Sequence, residues 1–247
     1  SKIIETTSED DYKKLEPWIQ WPSIYTGKKA DEHKLFRLGD IINYKGNTIF
    51  NDIEDLGLSV GCISSMNLDN NLKNPKYFIP DPWTSTIPDN SYWSKLIHST
   101  ISKIVINNSS LKINISGLFS LILIFFKFSK LKNFTNYFFY FLTGFKYKWR
   151  KALFLDLLLN DIHLHYYKKK KPNFSNIFFN GIAHIQHHYF LNSKVMNNKS
   201  LKNPNWYLKK NSDPIEEALI LYDKILNDYL GKEEFDLIIA TGLTQKP

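Results

Sequence analysis

The 247-residue chain is 43% hydrophobic and 23% charged, a globular composition that excludes global disorder and a fibrous protein. Its single cysteine, Cys62, excludes an intrachain disulfide framework and a zinc site built on paired cysteines. No apolar run is long enough to span a membrane, and the N-terminal residues lack the basic-then-apolar pattern of a secretory signal. We therefore expect a cytoplasmic protein without a membrane span.

The net charge of +8 raises the question of a nucleic-acid partner. Arg37 and Arg150 are the only arginines, so lysine carries nearly all of the positive charge. Arginine is the residue suited to bidentate recognition of phosphate and guanine. The composition indicates the codon bias of an AT-rich genome, and no nucleic-acid partner is expected.

The first part of the chain, residues 1–93, predicts one half of an α/β domain. A short helix is expected at 11–15, ending before Pro17, and residues 16–40 form an aromatic, turn-rich segment. A helix at 49–56 and a buried strand at 58–63 then follow, joined at Gly57. Residues 77–93 contain three prolines and are expected to form an irregular loop.

Residues 94–168 predict a helical insertion lobe. Apolar and aromatic residues recur at helical spacing over 94–106, 118–128, 134–142 and 147–167, with lysines between them. The lysine run 168–171 fits a helix C-terminus, where the macrodipole favours cations. We expect this lobe to act as a cap or as the contact surface of a homo-oligomer.

Residues 169–247 return to an α/β pattern. A strand is expected at 176–179, a helix from Asp213 and Pro214 to about Leu230, and a strand at 235–240. The fold class is therefore α/β, a three-layer sandwich with a mostly parallel central sheet on which Val60, Phe178 and Ile238 occupy neighbouring strands. Because such a sheet rarely ends on an uncovered strand, we expect the chain to be a piece of a longer protein.

Three histidines form the sharpest candidate site. His184, His187 and His188 follow a predicted strand, and helical spacing places His184 and His188 on one face, where two imidazoles can hold one divalent ion. Zinc is the favoured ion, since imidazole suits it. Hydrogen-bonding helix residues are the alternative interpretation. A separate pair, His163 and His165, lies in the helical lobe and is expected to have no such role.

The segment WPSIYTG, residues 21–27, is a second candidate. Hydroxyl side chains beside a Thr-Gly turn, followed by a histidine, are typical of a nucleophile or oxyanion region. Its candidate catalytic residues are Gln20, Ser23, Thr26 and His33. The candidate substrate-binding residues are Trp21, Tyr25, Lys28 and Asn180. Because ligands bind at the carboxyl ends of parallel strands, residues 20–33 and 180–188 are expected to meet near Thr241.

In order and spacing these segments resemble the alkaline phosphatase superfamily of phosphodiesterases, phosphomutases and sulfatases. WPSIYTGKKADEH resembles the stretch that follows the superfamily's nucleophile, and FNDIEDLGLSVGCIS resembles its next helix–strand unit. NGIAHIQHH resembles the Asp-x-x-x-His metal motif, and FDLIIATG the strand that leads into the Ser-Asp-His-Gly motif. The resemblance covers residues 15–67 and 172–247 and implies a hydrolase or transferase acting on a small phosphate or sulfate ester, or on a glycan-type substrate.

The sequence departs from this pattern at several functional positions. Pro17 stands where the nucleophile is expected, Asn180 replaces the metal-binding aspartate, and Thr241 and Gly242 replace the Asp-His pair. Only His184 keeps its place, so a carboxylate-held hard cation is not expected there. Two functions stay open. One is a divergent hydrolase or transferase with a rebuilt site that works with or without a metal ion. The other is a catalytically inactive relative that acts as a binding or assembly module.

Overall fold

The computed structural model describes residues 2–106, 115–196, 201–204, 206–209, 212–232 and 234–241. The helices are α1 Pro17–Thr26, α2 Ala30–His33, α3 Ile49–Asp55, α4 Tyr92–Ile106, α5 Ile115–Phe128, α6 Phe134–Thr143, α7 Trp149–Lys170, α8 Gly181–Tyr189 and α9 Pro214–Asn227. The strands are β1 Val60–Ile63, β2 Tyr77–Ile79 and β3 Phe174–Ile177. This mixture of helices and parallel strands confirms the α/β class.

The three strands form one parallel sheet in the order β2-β1-β3. In the central strand, Cys62 pairs with Phe78 of β2 and with Asn176 of β3. All four residues of β1 are buried, as a central strand covered on both faces requires. The adjacent hydrophobic core consists of Tyr25, Phe50, Val60, Cys62, Leu68 and Phe78.

The chain divides into two compact units. The first contains the described residues within 2–127 and 165–178 together with Thr241, and therefore includes the sheet, α1 to α4 and nearly all of α5. The second contains the described residues within 128–164 and 179–240, and therefore includes α6, most of α7, α8 and α9. The sequence-based division into 1–93, 94–168 and 169–247 stays a prediction.

The second unit is organised around polar contacts between its helices. Asp161 accepts hydrogen bonds from the Lys130 amide, the Asn133 amide group and the Tyr137 hydroxyl, at 2.8, 2.8 and 2.9 Å. The Arg150 guanidinium binds both carboxylate oxygens of Glu217, at 2.7 and 3.2 Å. Such bidentate, charge-assisted pairs fix the orientation of the helices that carry them.

The prediction for residues 16–40 was wrong, because α1 and α2 replace the expected turns. Pro17 opens α1, where its fixed φ suits a first helical position. Pro22 lies inside the helix and cannot donate to the Trp18 carbonyl. The Asn67 side-chain amide donates to that carbonyl instead, at 2.7 Å. A distant contact thus compensates for a residue that normally ends a helix.

Two strand predictions also differ from the structure. Residues 77–93, expected to be an irregular loop, begin with β2. Residues 235–240, expected to form a strand, have no strand conformation, and the Ile238 side chain is 86% exposed. A continuous apolar run favours a buried strand, but a strand forms only where a neighbour offers its backbone groups. Ile238 is therefore not on a strand next to Val60.

The other elements agree with their predictions to within a few residues. The strand expected at 176–179 is β3, shifted to 174–177, so that Phe178 directly follows it. The helix from Pro214 ends at Asn227 rather than near Leu230. The helix expected at 11–15 is a three-residue 3-10 turn, Tyr12–Lys14. The described residues of the segment 94–168 are mainly helical, as predicted, with residues 107–114 outside the description.

Candidate functional site

The carboxyl edge of the sheet is lined by buried polar residues. Ser64 and Asn67 follow β1, and Asp81 follows β2. Ser64 and Asn67 have φ values of 59° and 50°, which are uncommon for non-glycine residues and occur often at functional sites. Burial raises the pKa of Asp81, while hydrogen bonds from the amides of Trp83, Asn67 and Thr84 oppose this shift. Ligands of α/β sheets bind at this edge.

Asn67 connects α1 and the following loop to this edge. Its Nδ2 donates to the Trp18 carbonyl at 2.7 Å, and its Oδ1 accepts from the Gly39 amide at 2.9 Å. Its own amide donates to Asp81 Oδ2 at 2.8 Å. Asn67 and Asp81 were not predicted from the sequence, although a polar residue just beyond a buried apolar strand is a detectable signal.

Trp21 and Tyr25, two candidate substrate-binding residues, pack from α1 onto the sheet. The Trp21 ring lies edge-on to Phe178, with ring centroids 5.0 Å apart. Tyr25 is buried in the core and contacts Phe50 in the same geometry at 5.3 Å. Burial raises the pKa of the Tyr25 phenol above its ordinary range. Both rings therefore contribute to packing, and Tyr25 stays neutral.

The candidate polar groups of α1 bond to carbonyl oxygens of their own segment. Ser23 Oγ donates to the Ile19 carbonyl at 3.2 Å, and Thr26 Oγ1 donates to the Pro22 carbonyl at 2.7 Å. Gln20 Nε2 donates to the Lys14 carbonyl at 2.5 Å. Hydroxyl groups that bond back into a helix are common and need no catalytic role. The catalytic roles of these residues stay predictions.

The candidate catalytic residues Ser23 and His33 contact each other directly. Ser23 Oγ lies 2.9 Å from His33 Nε2, and the Leu35 amide donates to His33 Nδ1 at 3.0 Å. Because Nδ1 accepts, the neutral ring carries its proton on Nε2 and donates it to Ser23. Burial lowers the pKa of His33, which keeps the ring neutral. In this tautomer His33 has no lone pair with which to activate Ser23.

An open cavity of about 310 Å³ lies beside this pair. It is lined by His33, Lys34, Leu35, Asp40, Asn43, Tyr44 and Lys45. Lys28 reaches the rim, where its Nζ lies 3.5 Å from the Tyr44 hydroxyl. Lys34 has a φ of 58°, and Gly39, held by Asn67, has a φ of 93°. We call this cavity the lysine pocket.

The candidate metal residues lie in the second unit, on α8. Asn180 is the N-cap residue of this helix, and its side chain makes no capping hydrogen bond. The rings of His184 and His188 are 4.9 Å apart between centroids. Burial lowers the pKa of His184, and the neighbouring His188 and His187 lower it further. The lowered pKa favours the neutral form of the His184 ring, which is the form that binds metal ions.

The described part of the chain contains no group of three or more His, Cys, Asp and Glu residues that could hold a metal ion. The described donor set therefore does not provide the carboxylate-rich, two-metal centre of the alkaline phosphatase superfamily. The two imidazoles of His184 and His188 lie one helical turn apart, as their spacing in the sequence predicted. Zinc binding by this pair stays a prediction, as does the meeting of residues 180–188 with residues 20–33, since these segments belong to different units.

Asp156 is a further residue that the sequence analysis missed. Its Oδ2 accepts from the Gly181 amide at 2.9 Å and from the Tyr222 hydroxyl at 2.6 Å. Burial raises the pKa of Asp156 to about 7, although both hydrogen bonds oppose this shift. A Cβ atom at position 181 would lie 2.2 Å from the same oxygen. Asp156 thus anchors the start of α8, where only glycine fits.

No protein-family model, curated protein or solved structure matches this chain. Its resemblance to the alkaline phosphatase superfamily therefore stays a prediction. Within the described residues, no helix has both the length and the apolar character needed to cross a membrane.

Proposed function

We propose that the lysine pocket binds the phosphate or sulfate group of a small ester or glycan-type molecule, and that the protein is a binding member of an alkaline-phosphatase-like fold. The observation that carries this proposal is the excess of positive charge in a cavity of suitable size. Lys34 and Lys45 line the cavity and Lys28 lies at its rim, while Asp40 is the only carboxylate among the described residues that line it.

The charges of the pocket favour an anion. Asp40 Oδ2 accepts hydrogen bonds from the amides of Phe36 and Arg37, at 3.1 and 2.8 Å. These two donors partly offset the negative charge of Asp40. In the described regions, none of the three lysines forms an ion pair. A bound anion would receive charge-assisted hydrogen bonds from them, the strongest kind available at a protein surface.

The Ser23–His33 pair supports binding rather than hydrolysis. A serine nucleophile requires a base that accepts its proton. The bond from the Leu35 amide places the His33 proton on Nε2, the nitrogen that faces Ser23. A resting site of this kind can orient a ligand but does not deprotonate the hydroxyl.

Isothermal titration with p-nitrophenyl phosphate and p-nitrophenyl sulfate tests the proposal. The double variant Lys28→Gln/Lys45→Gln should lower affinity about tenfold or more, since a hydrogen bond to a charged group contributes about 1.5–3 kcal/mol. The matched control is Lys13→Gln/Lys76→Gln, which changes the same charge at exposed positions outside the pocket. Equal binding by the two variants would exclude the lysine pocket as the site.

A divergent hydrolase or transferase is the second candidate, favoured by the 2.9 Å contact between Ser23 and His33. Activity would require the ring to move its proton to Nδ1, which the Leu35 amide would then have to release. Hydrolysis of either ester that disappears in Ser23→Ala would support this function. Unchanged hydrolysis in that variant would exclude Ser23 as the nucleophile.

We also propose that His184 and His188 bind zinc, with solvent completing the coordination. Neutral imidazole is the ligand, so affinity should fall as the pH drops below about 6.5. Calorimetry with zinc should give heat that His184→Ala abolishes and His165→Ala leaves unchanged. A protein that gives no heat with zinc at neutral pH would contradict the proposal.

Three further properties belong to this proposal. The sheet is the centre of a three-layer α/β sandwich, which an experimental structure with helices on both sheet faces would support. The protein self-associates through exposed apolar residues of α5, including Phe119 and Phe126, which sedimentation velocity tests. It resides in the cytoplasm, consistent with its single free, buried cysteine, which cell fractionation tests.

A further inference from the structure

Helix α6, in the second unit, carries a large exposed apolar surface. Its Tyr137 and Tyr140 side chains point inward and are 1% and 7% exposed. The other side of the helix, together with Phe145 two residues beyond its end, exposes five large apolar side chains. These are Phe138, Phe139, Phe141, Leu142 and Phe145, which we call the aromatic face. A continuous apolar surface of this kind marks an interaction site.

Basic residues follow the aromatic face in the chain. Residues 129–155 contain no aspartate or glutamate, and Lys146, Lys148 and Lys151 are exposed. Lys146 and Lys209 both lie over the Tyr147 ring, at 5.5 and 5.9 Å from its centroid. The nearby Lys146 lowers the pKa of Lys209. No ion pair is formed by these lysines within the described ranges. The surface therefore favours an anionic partner.

We propose that the aromatic face docks onto the surface of an anionic lipid bilayer. The phenylalanines and Leu142 enter the boundary between headgroups and acyl chains, and Lys146, Lys148 and Lys209 contact lipid phosphates. An apolar helix face flanked by lysines is the arrangement by which amphipathic helices bind such membranes. This binding lies in the second unit and does not depend on the lysine pocket of the first.

Other partners fit this surface less well. In a symmetric dimer the same patch would meet itself, and its lysines would then face lysines. Single-stranded nucleic acid binds aromatic side chains by base stacking, but the branched aliphatic side chain of Leu142 offers no ring for this purpose. Acyl chains accept aliphatic and aromatic side chains alike, so a lipid surface accounts for the whole face.

Co-sedimentation with lipid vesicles tests the proposal. The vesicles contain phosphatidylcholine alone or mixed with phosphatidylglycerol, and the unaltered protein should bind only the mixture. Each lysine near an anionic surface contributes about fivefold to binding. The variant Lys146→Gln/Lys148→Gln/Lys209→Gln should therefore bind about 100-fold more weakly. Its matched control, with the same charge change at exposed positions elsewhere, is Lys13→Gln/Lys76→Gln/Lys103→Gln.

A second variant set tests the apolar contribution. Phe138→Ser/Phe141→Ser/Phe145→Ser should reduce vesicle binding at least tenfold, since each ring loses apolar burial in the bilayer. The control Tyr12→Ser/Leu56→Ser/Ile87→Ser removes exposed apolar groups from the first unit. Circular dichroism should show the same helix content in every variant, because the substituted residues are exposed.

Several outcomes would overturn the proposal. Equal binding to both vesicle types would exclude anionic lipid as the partner. Equal binding by the lysine variant and its control would exclude the aromatic face and its lysines as the binding surface. Self-association that the Phe→Ser variant abolishes would assign the aromatic face to a second copy. Release from vesicles by single-stranded DNA at low concentration would assign it to nucleic acid.

Discussion

Replacing Asn67 should show how α1 tolerates Pro22. Asn67→Ala removes the donor to the Trp18 carbonyl and the acceptor for the Gly39 amide. Each buried group left without a partner costs about 1–3 kcal/mol, and alanine at a φ of 50° adds about 1 kcal/mol. We expect a loss of about 4 kcal/mol in the free energy of unfolding, a large part of the stability of an ordinary domain.

A double-mutant cycle isolates the compensation. Pro22→Ala restores a backbone N–H that can reach the Trp18 carbonyl, so it should help more in the Asn67→Ala background than in the unaltered protein. The expected coupling is about 1–2 kcal/mol, close to the contribution of one buried hydrogen bond. Urea denaturation followed by circular dichroism measures the four stabilities. Additive effects of the two substitutions, within about 0.5 kcal/mol, would show that the Asn67 side chain does not compensate for Pro22.

Two further predictions concern buried groups. The pKa of Asp156 is about 7 in the folded protein and about 3.9 in the unfolded chain, so the folded state binds more protons between these values. The contribution of Asp156 to the free energy of unfolding is complete below about pH 4, and about 2 kcal/mol of it is lost from roughly pH 5 to pH 7. Urea denaturation at several pH values should show this slope, and Asp156→Asn should remove it; parallel pH profiles would contradict the assignment. Gly61→Ala would place a Cβ atom 2.3 Å from the buried Tyr77 ring, and we expect a loss of about 1–3 kcal/mol; an unchanged midpoint in thermal denaturation would contradict this packing.

The sequence predicted those parts of the fold that depend on local pattern. The apolar run of β1 and the Asp213–Pro214 start of α9 both follow from residues near them in the chain. Period, capping and proline at a first helical position are local signals, so a single sequence is sufficient for them.

The parts that the sequence did not predict depend on distant contacts. A proline such as Pro22 normally breaks a helix. In α1 the Trp18 carbonyl, which Pro22 leaves without its helical donor, accepts a hydrogen bond from Asn67, 49 residues further along the chain. Ser23 and His33 were both candidates from the sequence, but their contact and the tautomer that the Leu35 amide sets were not predicted. Residues 235–240 have the pattern of a buried strand without a strand neighbour in the described chain. No periodic pattern of residues in the sequence signals any of these contacts.

The most direct test of the account is a map of backbone amide shifts by nuclear magnetic resonance during titration with p-nitrophenyl phosphate. We expect shifts that saturate and that cluster at His33, Lys34, Tyr44 and Lys45, with the ester intact at the end of the titration. Shifts confined to residues far from the lysine pocket, or no shifts at saturating ester, would contradict the claim that this pocket binds an anionic ester.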